Sequence, residues 1–156
     1  AVPYDGDGPA LTALQGGAID VMPAVLGAAI EHVKAGRMKV LALIDVEANA
    51  ALPDVKPVTE DFPGFAEYLP WGPFFGVFVK EGTPDDVVAK LQDAYSQGAA
   101  NEDFTKLMAD RGFAMLNISG DEARAFLDRW QSVTSWLMQD AGMAKASPED
   151  FDIPRP

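Results

Sequence analysis

The sequence has no cysteine and a single histidine. The absence of cysteine excludes disulfide scaffolds, thiolate zinc sites and cysteine nucleophiles. With one histidine, a multi-histidine zinc site is excluded, and the position of His32 opposite the apolar stripe of a predicted helix indicates an exposed side chain. No apolar run approaches the roughly 18 residues that span a bilayer, and residues 1–20 lack the basic and apolar regions of a signal peptide.

Basic residues are also scarce. Twelve Lys and Arg against 24 Asp and Glu give a net charge of -12 at pH 7. Such a surface repels phosphate backbones and anionic lipids, so nucleic acid is not an expected partner. At 156 residues and 48% hydrophobic content, the chain can bury one core or two small lobes, which excludes intrinsic disorder.

Residue patterns typical of catalysis are missing as well. No serine lies in a G-x-S-x-G nucleophile elbow. The paired acids at 85–86, 102–103 and 121–122 fall in predicted first helical turns, where the helix dipole already favours negative charge. The sequence therefore predicts no catalytic residue, no metal site and no cofactor.

Helix and strand patterns alternate along the chain, which favours an α/β fold. Thr83 followed by Pro84, Asn101, and the capping-box pair Ser119 and Glu122 mark three helix starts. Behind the last of these starts, apolar residues recur at three- and four-residue steps as far as Met138, so one face of that helix is expected to be core. An irregular tail is expected after Gly142. The predicted helices cover residues 9–15, 26–35, 84–99, 101–112 and 120–138, and the predicted strands residues 18–22, 38–44, 71–79 and 113–118.

The segment from Tyr4 to Leu11 carries the pattern most suggestive of a ligand. A glycine loop enters a helix there, and a helix start presents unpaired backbone N–H groups and a positive dipole end to a carboxylate or phosphate. A tight strand-to-helix turn explains the same glycines without a ligand. A calcium loop is disfavoured because its twelfth position is Gly16, where a bidentate Glu belongs.

The order of motifs resembles the substrate-binding proteins of tripartite tricarboxylate transporters, the TctC or Bug family. The resemblance extends from the glycine loop to about Gly142. It rests on five blocks in the family's order, at residues 2–14, 16–22, 32–42, 51–55 and 76–84.

This resemblance implies a periplasmic solute-binding protein, without enzymatic activity or cofactor, that holds a small organic carboxylate and serves the membrane subunits of a tripartite transporter. It implies part of a type II periplasmic-binding-protein fold: a second-lobe α/β portion over residues 1–78, and the return segment of the first lobe over residues 79–156. The chain then corresponds to the C-terminal half of a family member. The implied ligand-binding residues are Tyr4, Gly6, Asp7, Gly8, Pro9, Ala10, Leu11 and Asp20.

Two positions depart from the family pattern. Asp5 replaces the usual Lys of the loop and Asp7 its middle Gly, and two added carboxylates oppose the binding of an anion. An alternative hypothesis is a stand-alone interaction module, or a fragment that completes its sheet as a homo-oligomer. The apolar segment at residues 71–79 favours this alternative because an uncovered apolar strand promotes association.

Overall fold

The computed structural model describes residues 2–156, which form helices joined by long extended segments. Two short 3-10 helices, Pro63–Tyr68 and Pro148–Phe151, lie among the connections. The α-helices of the described residues are α1 (Asp7–Gln15), α2 (Leu26–Lys34), α3 (Val58–Asp61), α4 (Asp85–Ala99), α5 (Glu102–Asp110) and α6 (Gly120–Asp140).

All five predicted helices are confirmed to within about two residues at most ends. Helix α1 begins at Asp7, so that Pro9 lies in the first turn, where the missing N–H of proline has no intrahelical acceptor to lose. The predicted Asn101 cap is also confirmed, because its side-chain oxygen accepts a hydrogen bond from the Phe104 backbone N–H at 3.0 Å.

Two other predicted caps are wrong. The Thr83 hydroxyl donates to the Lys80 carbonyl oxygen at 2.7 Å, because this side chain closes the preceding turn instead of capping α4. Ser119 makes no side-chain hydrogen bond to the first turn of α6. The next residue, Gly120, has a φ of 58°, so the helix begins with a left-handed residue where a capping box has a helical one.

The predicted strands are not paired into a sheet within residues 2–156, so the α/β class is not confirmed. The backbone pairing of strand type in this range is one isolated parallel bridge between Leu43 and Pro57. A strand satisfies its N–H and C=O groups only on a neighbouring chain segment, and residues 2–156 show no bridge between extended segments besides this one. The segment at 71–79, predicted as a central strand, instead leaves Phe75 and Val77 more than 70% exposed.

The buried side chains form separate clusters. One lies where α1 packs on α2 and consists of Ala10, Leu11, Ala29 and Ile30. Another lies along α6, where Val133 is only 1% exposed. The apolar face predicted for the last helix is thus confirmed as a core face.

Two glycines allow α2 to approach the turn that follows α5. A Cβ atom on Gly27 would lie 2.7 Å from the ring of Phe113, and one on Gly112 would lie 2.6 Å from the side chain of Leu26. Gly112 also has a φ of 79°, which side chains with a Cβ atom rarely adopt. The absence of a Cβ atom at both positions therefore lets α2 pack against the residues that follow α5.

Helix α6 makes the other connection between the two halves. The Arg129 guanidinium donates to the carbonyl oxygens of Leu69 (3.3 Å) and Glu67 (3.1 Å). The next residue of the helix, Trp130, donates from its indole N–H to the Gly72 carbonyl oxygen at 2.8 Å. The irregular segment at 67–72 is thereby held against α6 by hydrogen bonds to its backbone.

Candidate functional site

The glycine loop turns sharply into α1 at Gly6. The Gly6 N–H donates to the Tyr4 carbonyl oxygen at 2.9 Å, and Gly6 has a φ of 98° as the N-cap residue. Because a residue with a Cβ atom rarely adopts this φ, the turn requires glycine at this position.

The helix start beyond this turn offers two backbone donors. Four N–H groups at a helix start lack intrahelical acceptors, here those of residues 6–9. Gly6 uses its N–H within the loop, and Pro9 has none. Within residues 2–156 no loop or cap acceptor receives the N–H groups of Asp7 and Gly8. Together with the positive end of the helix dipole, they can hold one carboxylate.

The two loop carboxylates have different environments. Asp7 is half-buried, and its Oδ2 accepts a hydrogen bond from the Val25 backbone N–H at 3.1 Å, at the N-cap of α2. Asp5 is exposed to solvent. Asp7 thus ties the start of α1 to the start of α2, whereas Asp5 is a solvent-exposed carboxylate in the loop that precedes the helix.

The remaining predicted ligand residues are brought together only in part. The side chains of Ala10 and Leu11 are 8% and 5% exposed and belong to the α1–α2 core. Tyr4 is 37% exposed on the approach to the loop. Asp20 is exposed in the connection between α1 and α2.

Two apolar cavities of about 350 Å³ each lie away from this loop. One is lined by side chains of the 44–46 loop, the 66–71 segment and Phe126 of α6. The other lies between the end of α6 and the 3-10 helix Pro148–Phe151. Neither cavity includes a predicted ligand residue.

A polar cluster at the opposite end of α1 contradicts the prediction for His32. The imidazole is half-buried, and its Nδ1 lies 2.6 Å from Nε2 of Gln15 and 3.2 Å from Nε of Arg37. Arginine can only donate, so Nδ1 acts as an acceptor and the proton of the neutral ring resides on Nε2. Helical phase alone could not reveal this cluster, because both partners lie outside α2.

Within the part of the chain that the structure describes, no group of three or more His, Asp or Glu side chains is arranged to hold a metal ion. No helix between residues 2 and 156 has the length and apolar character that a bilayer crossing requires.

Comparison with known proteins adds independent information. Residues 1–142 match the family model of the tripartite tricarboxylate transporter family receptor, TctC. The chain is 28% identical over 140 residues to Protein BugT of Bordetella pertussis, a match that covers 85% of this chain and 41% of BugT. It is 30% identical over 138 residues to the UPF0065 protein in the clcB-clcD intergenic region of Pseudomonas knackmussii, covering 83% of this chain and 78% of that protein.

A further relative is the UPF0065 protein in the tcbD-tcbE intergenic region of a Pseudomonas species, 28% identical over 138 residues, with 85% of this chain and 40% of that protein covered. The chain thus spans about two fifths of the length of BugT and of this relative. The matched region includes the glycine loop, α1 and the whole of α6.

Proposed function

The chain belongs to the tripartite tricarboxylate transporter receptor family, TctC, and on this premise we propose that it binds a small organic carboxylate as the receptor component of a tripartite transporter. The observation that carries the proposal is the family match over residues 1–142, which contains the loop and two N–H donors that have no acceptor among residues 2–156. The family consists of receptors and not of enzymes, so we assign no catalytic residue.

The proposed binding site is the start of α1. The carboxylate accepts hydrogen bonds from the N–H groups of Asp7 and Gly8, and Gly6 gives the loop the left-handed turn that exposes them. Tyr4 borders the site from the preceding residues, and Asp20 from the connection to α2. Ala10 and Leu11 support the site indirectly, because their buried side chains hold α1 against α2.

Asp5 and Asp7 affect this site unequally. Asp7 directs one carboxylate oxygen to the Val25 N–H, so part of its charge is balanced. Asp5 has an exposed side chain and repels an incoming anion through solvent. We propose that the negative charge of Asp5 weakens carboxylate binding more than that of Asp7 does. A ligand that also carries an amine or hydroxyl donor is then favoured.

Isothermal titration with a panel of small di- and tricarboxylates tests the receptor function. We expect saturable heat with at least one of them, and a rise in the unfolding temperature that increases with ligand concentration. A monovalent chloride salt at equal ionic strength is the control. No binding by any carboxylate in the panel would contradict the proposed function.

Family membership implies a periplasmic-binding-protein fold, and family members are periplasmic. We propose that residues 1–78 form the second-lobe portion of such a fold and that residues 79–156 form the return segment of the first lobe. The membrane subunits of the transporter are the proposed protein partners. The extended segments at 38–44, 71–79 and 113–118 are then the strands of a sheet whose further strands lie outside this sequence.

A second candidate function, association into a homo-oligomer as an interaction module, is favoured by one specific observation. Phe75, Val77 and Phe78 are 78%, 72% and 68% exposed in a single extended segment. Adjacent apolar side chains on an unpaired extended segment are a template for pairing with another chain. This function requires no ligand, so an oligomer that is indifferent to every carboxylate would favour it over the receptor function.

A further inference from the structure

One face of α6 contacts the closing residues of the sequence at three successive helical turns. Ser132, Trp136 and Asp140 are spaced by four residues and therefore lie above one another on the helix surface. Opposite them runs the segment from 147 to 156, here termed the clasp. The clasp lies beyond residues 1–142, the region shared with the family.

Two of the three helix residues donate hydrogen bonds to the clasp backbone. The Ser132 hydroxyl donates to the Pro154 carbonyl oxygen at 2.7 Å. The Trp136 indole N–H is shared between the carbonyl oxygens of Ile153 (3.1 Å) and Pro154 (2.9 Å). Since the residue before a proline is restricted to extended conformations, the Ile-Pro pair holds both oxygens toward the helix at low entropic cost.

The third position recognises the side chain of Arg155. The guanidinium lies 4.0 Å above the centre of the Trp136 ring. Its two terminal nitrogens lie 3.1 and 3.0 Å from the two carboxylate oxygens of Asp140. A planar, forked cation can stack on an aromatic ring and pair with both oxygens at once, whereas the compact ammonium of lysine cannot. The hydrogen bond with Asp140 also raises the pKa of Arg155.

The donors on α6 are buried beneath the clasp. Ser132 and Trp136 are 5% and 6% exposed, and a buried donor without an acceptor is destabilising. The start of the clasp is held by two short-range hydrogen bonds: the Ser147 hydroxyl accepts from the Glu149 N–H at 3.3 Å, and the Asp150 carboxylate accepts from the Ser147 N–H at 3.2 Å. Pro148 between them is buried. The clasp therefore supplies the acceptors that these two donors require in the folded chain.

We propose that the Ser132, Trp136 and Asp140 face of α6 is a recognition site for an extended Ile-Pro-Arg segment, and that the clasp of the same chain occupies it. The site donates hydrogen bonds to two consecutive backbone carbonyl oxygens and binds one arginine side chain. The site shares no residue with the loop at the start of α1. Its test is therefore independent of whether the loop binds a carboxylate.

The experiment measures hydrogen exchange of the Trp136 indole N–H by NMR in the full chain. We expect Arg155→Ala to lower the protection of this proton by roughly tenfold, the loss of one charge-assisted interaction. Asp140→Asn should act similarly, and the double variant should add little because both changes remove the same pair. Arg124→Ala, at an exposed α6 position with no hydrogen bond or ion pair described in residues 2–156, is the matched control.

A labelled peptide with the sequence of residues 147–156 extends the test. It should bind Arg155→Ala and restore the indole protection, but not bind wild type, where the tethered clasp competes at an effective concentration of roughly millimolar. Equal protection in Arg155→Ala and Arg124→Ala would overturn the proposal. A wild-type dimer that dissociates on Arg155→Ala would overturn the assignment of the occupant to the same chain.

Discussion

Asp5 and Asp7 are two residues apart, yet the structure gives them different roles. Asp5 is exposed next to the free donors of α1. We expect Asp5→Lys to strengthen carboxylate binding by about 1 kcal/mol, or roughly fivefold, because it exchanges a nearby negative charge for a positive one that solvent partly screens. The gain should shrink at high salt. Calorimetric titration measures it, and weaker binding by the variant would mean that the anion does not bind beside Asp5.

Asp7 instead stabilises the folded chain. Asp7→Ala removes the acceptor of the Val25 N–H, and we expect unfolding free energy to fall by about 1–2 kcal/mol, the usual loss for a helix-cap side chain. Asp7→Asn is the matched variant because it removes the charge and keeps an acceptor oxygen. It should lose less stability than Asp7→Ala in chemical denaturation. Equal losses in both variants would assign the effect to the charge and not to the hydrogen bond.

Glycine at 112 is a second residue whose role depends on a distant contact. Gly112→Ala should lower the unfolding free energy by about 2 kcal/mol or more, because the φ of 79° strains the new residue and its Cβ meets Leu26. Gly98→Ala is the control, since this α4 position has open space around it. It should stabilise by about 0.5–1 kcal/mol. Chemical denaturation measures both changes. If the unfolding free energy changed in the same direction in both variants, the described approach of α2 to Gly112 would be contradicted.

The sequence located the loop of the candidate site but not the environment of its residues. The glycines and Pro9 indicate a turn into a helix through local backbone chemistry alone. The Asp7 contact with Val25, the cluster around His32 and the fit of Gly112 against Leu26 each join separate elements. Such contacts depend on how elements pack, which no local pattern determines.

At the level of elements, α6 organises the second half of the chain. Its Trp130 donates to the Gly72 carbonyl oxygen, and the ring packs edge-on against Phe74 at 5.1 Å between centroids. The sequence predicted the helix and its apolar face from three- and four-residue spacing. It could not predict that the same side chain also holds an irregular segment through a hydrogen bond.

Trp130→Ala should lower the unfolding free energy by about 3 kcal/mol, because it removes a large half-buried aromatic ring together with its hydrogen bond to Gly72. Trp130→Phe retains ring packing and loses the indole donor, so we expect about 1–2 kcal/mol. Phe62→Ala, at a side chain that is 66% exposed, is the control and should change little. A loss below about half the expected value for Trp130→Ala would mean that α6 does not dock through this ring.

For the predicted strands, the sequence indicates extended conformation but not which segments pair. Apolar runs at 38–44 and 71–79 are typical of buried strands. A strand, unlike a helix, forms its hydrogen bonds with another segment. The extended conformation could therefore be predicted locally, whereas pairing depends on neighbours that the described residues do not supply.

The whole molecule combines a strongly acidic surface with exposed apolar side chains. We expect the purified chain to exceed 16.7 kDa in light scattering at micromolar concentrations, because Phe75, Val77 and Phe78 remain uncovered in one copy. Added salt should strengthen the association by screening the charge of -12 on each copy.

A lysine placed within the apolar segment provides the matched test of this association. Phe78→Lys should shift the species toward a monomer, and Phe62→Lys, at a similarly exposed phenylalanine outside the segment, should not. A wild-type monomer across this concentration range would contradict self-association through residues 71–79.

The central claim is that the start of α1 holds a carboxylate, and an NMR titration that follows the backbone amides tests it most directly. With citrate and succinate as probes, and chloride at matched ionic strength as control, we expect the largest saturable shifts at the amides of Gly6, Asp7 and Gly8. The two amides without a described acceptor should move downfield as they donate to the ligand. Carboxylate-specific shifts confined to residues around the cavity near Phe126, or no shift beyond that caused by chloride, would contradict the account.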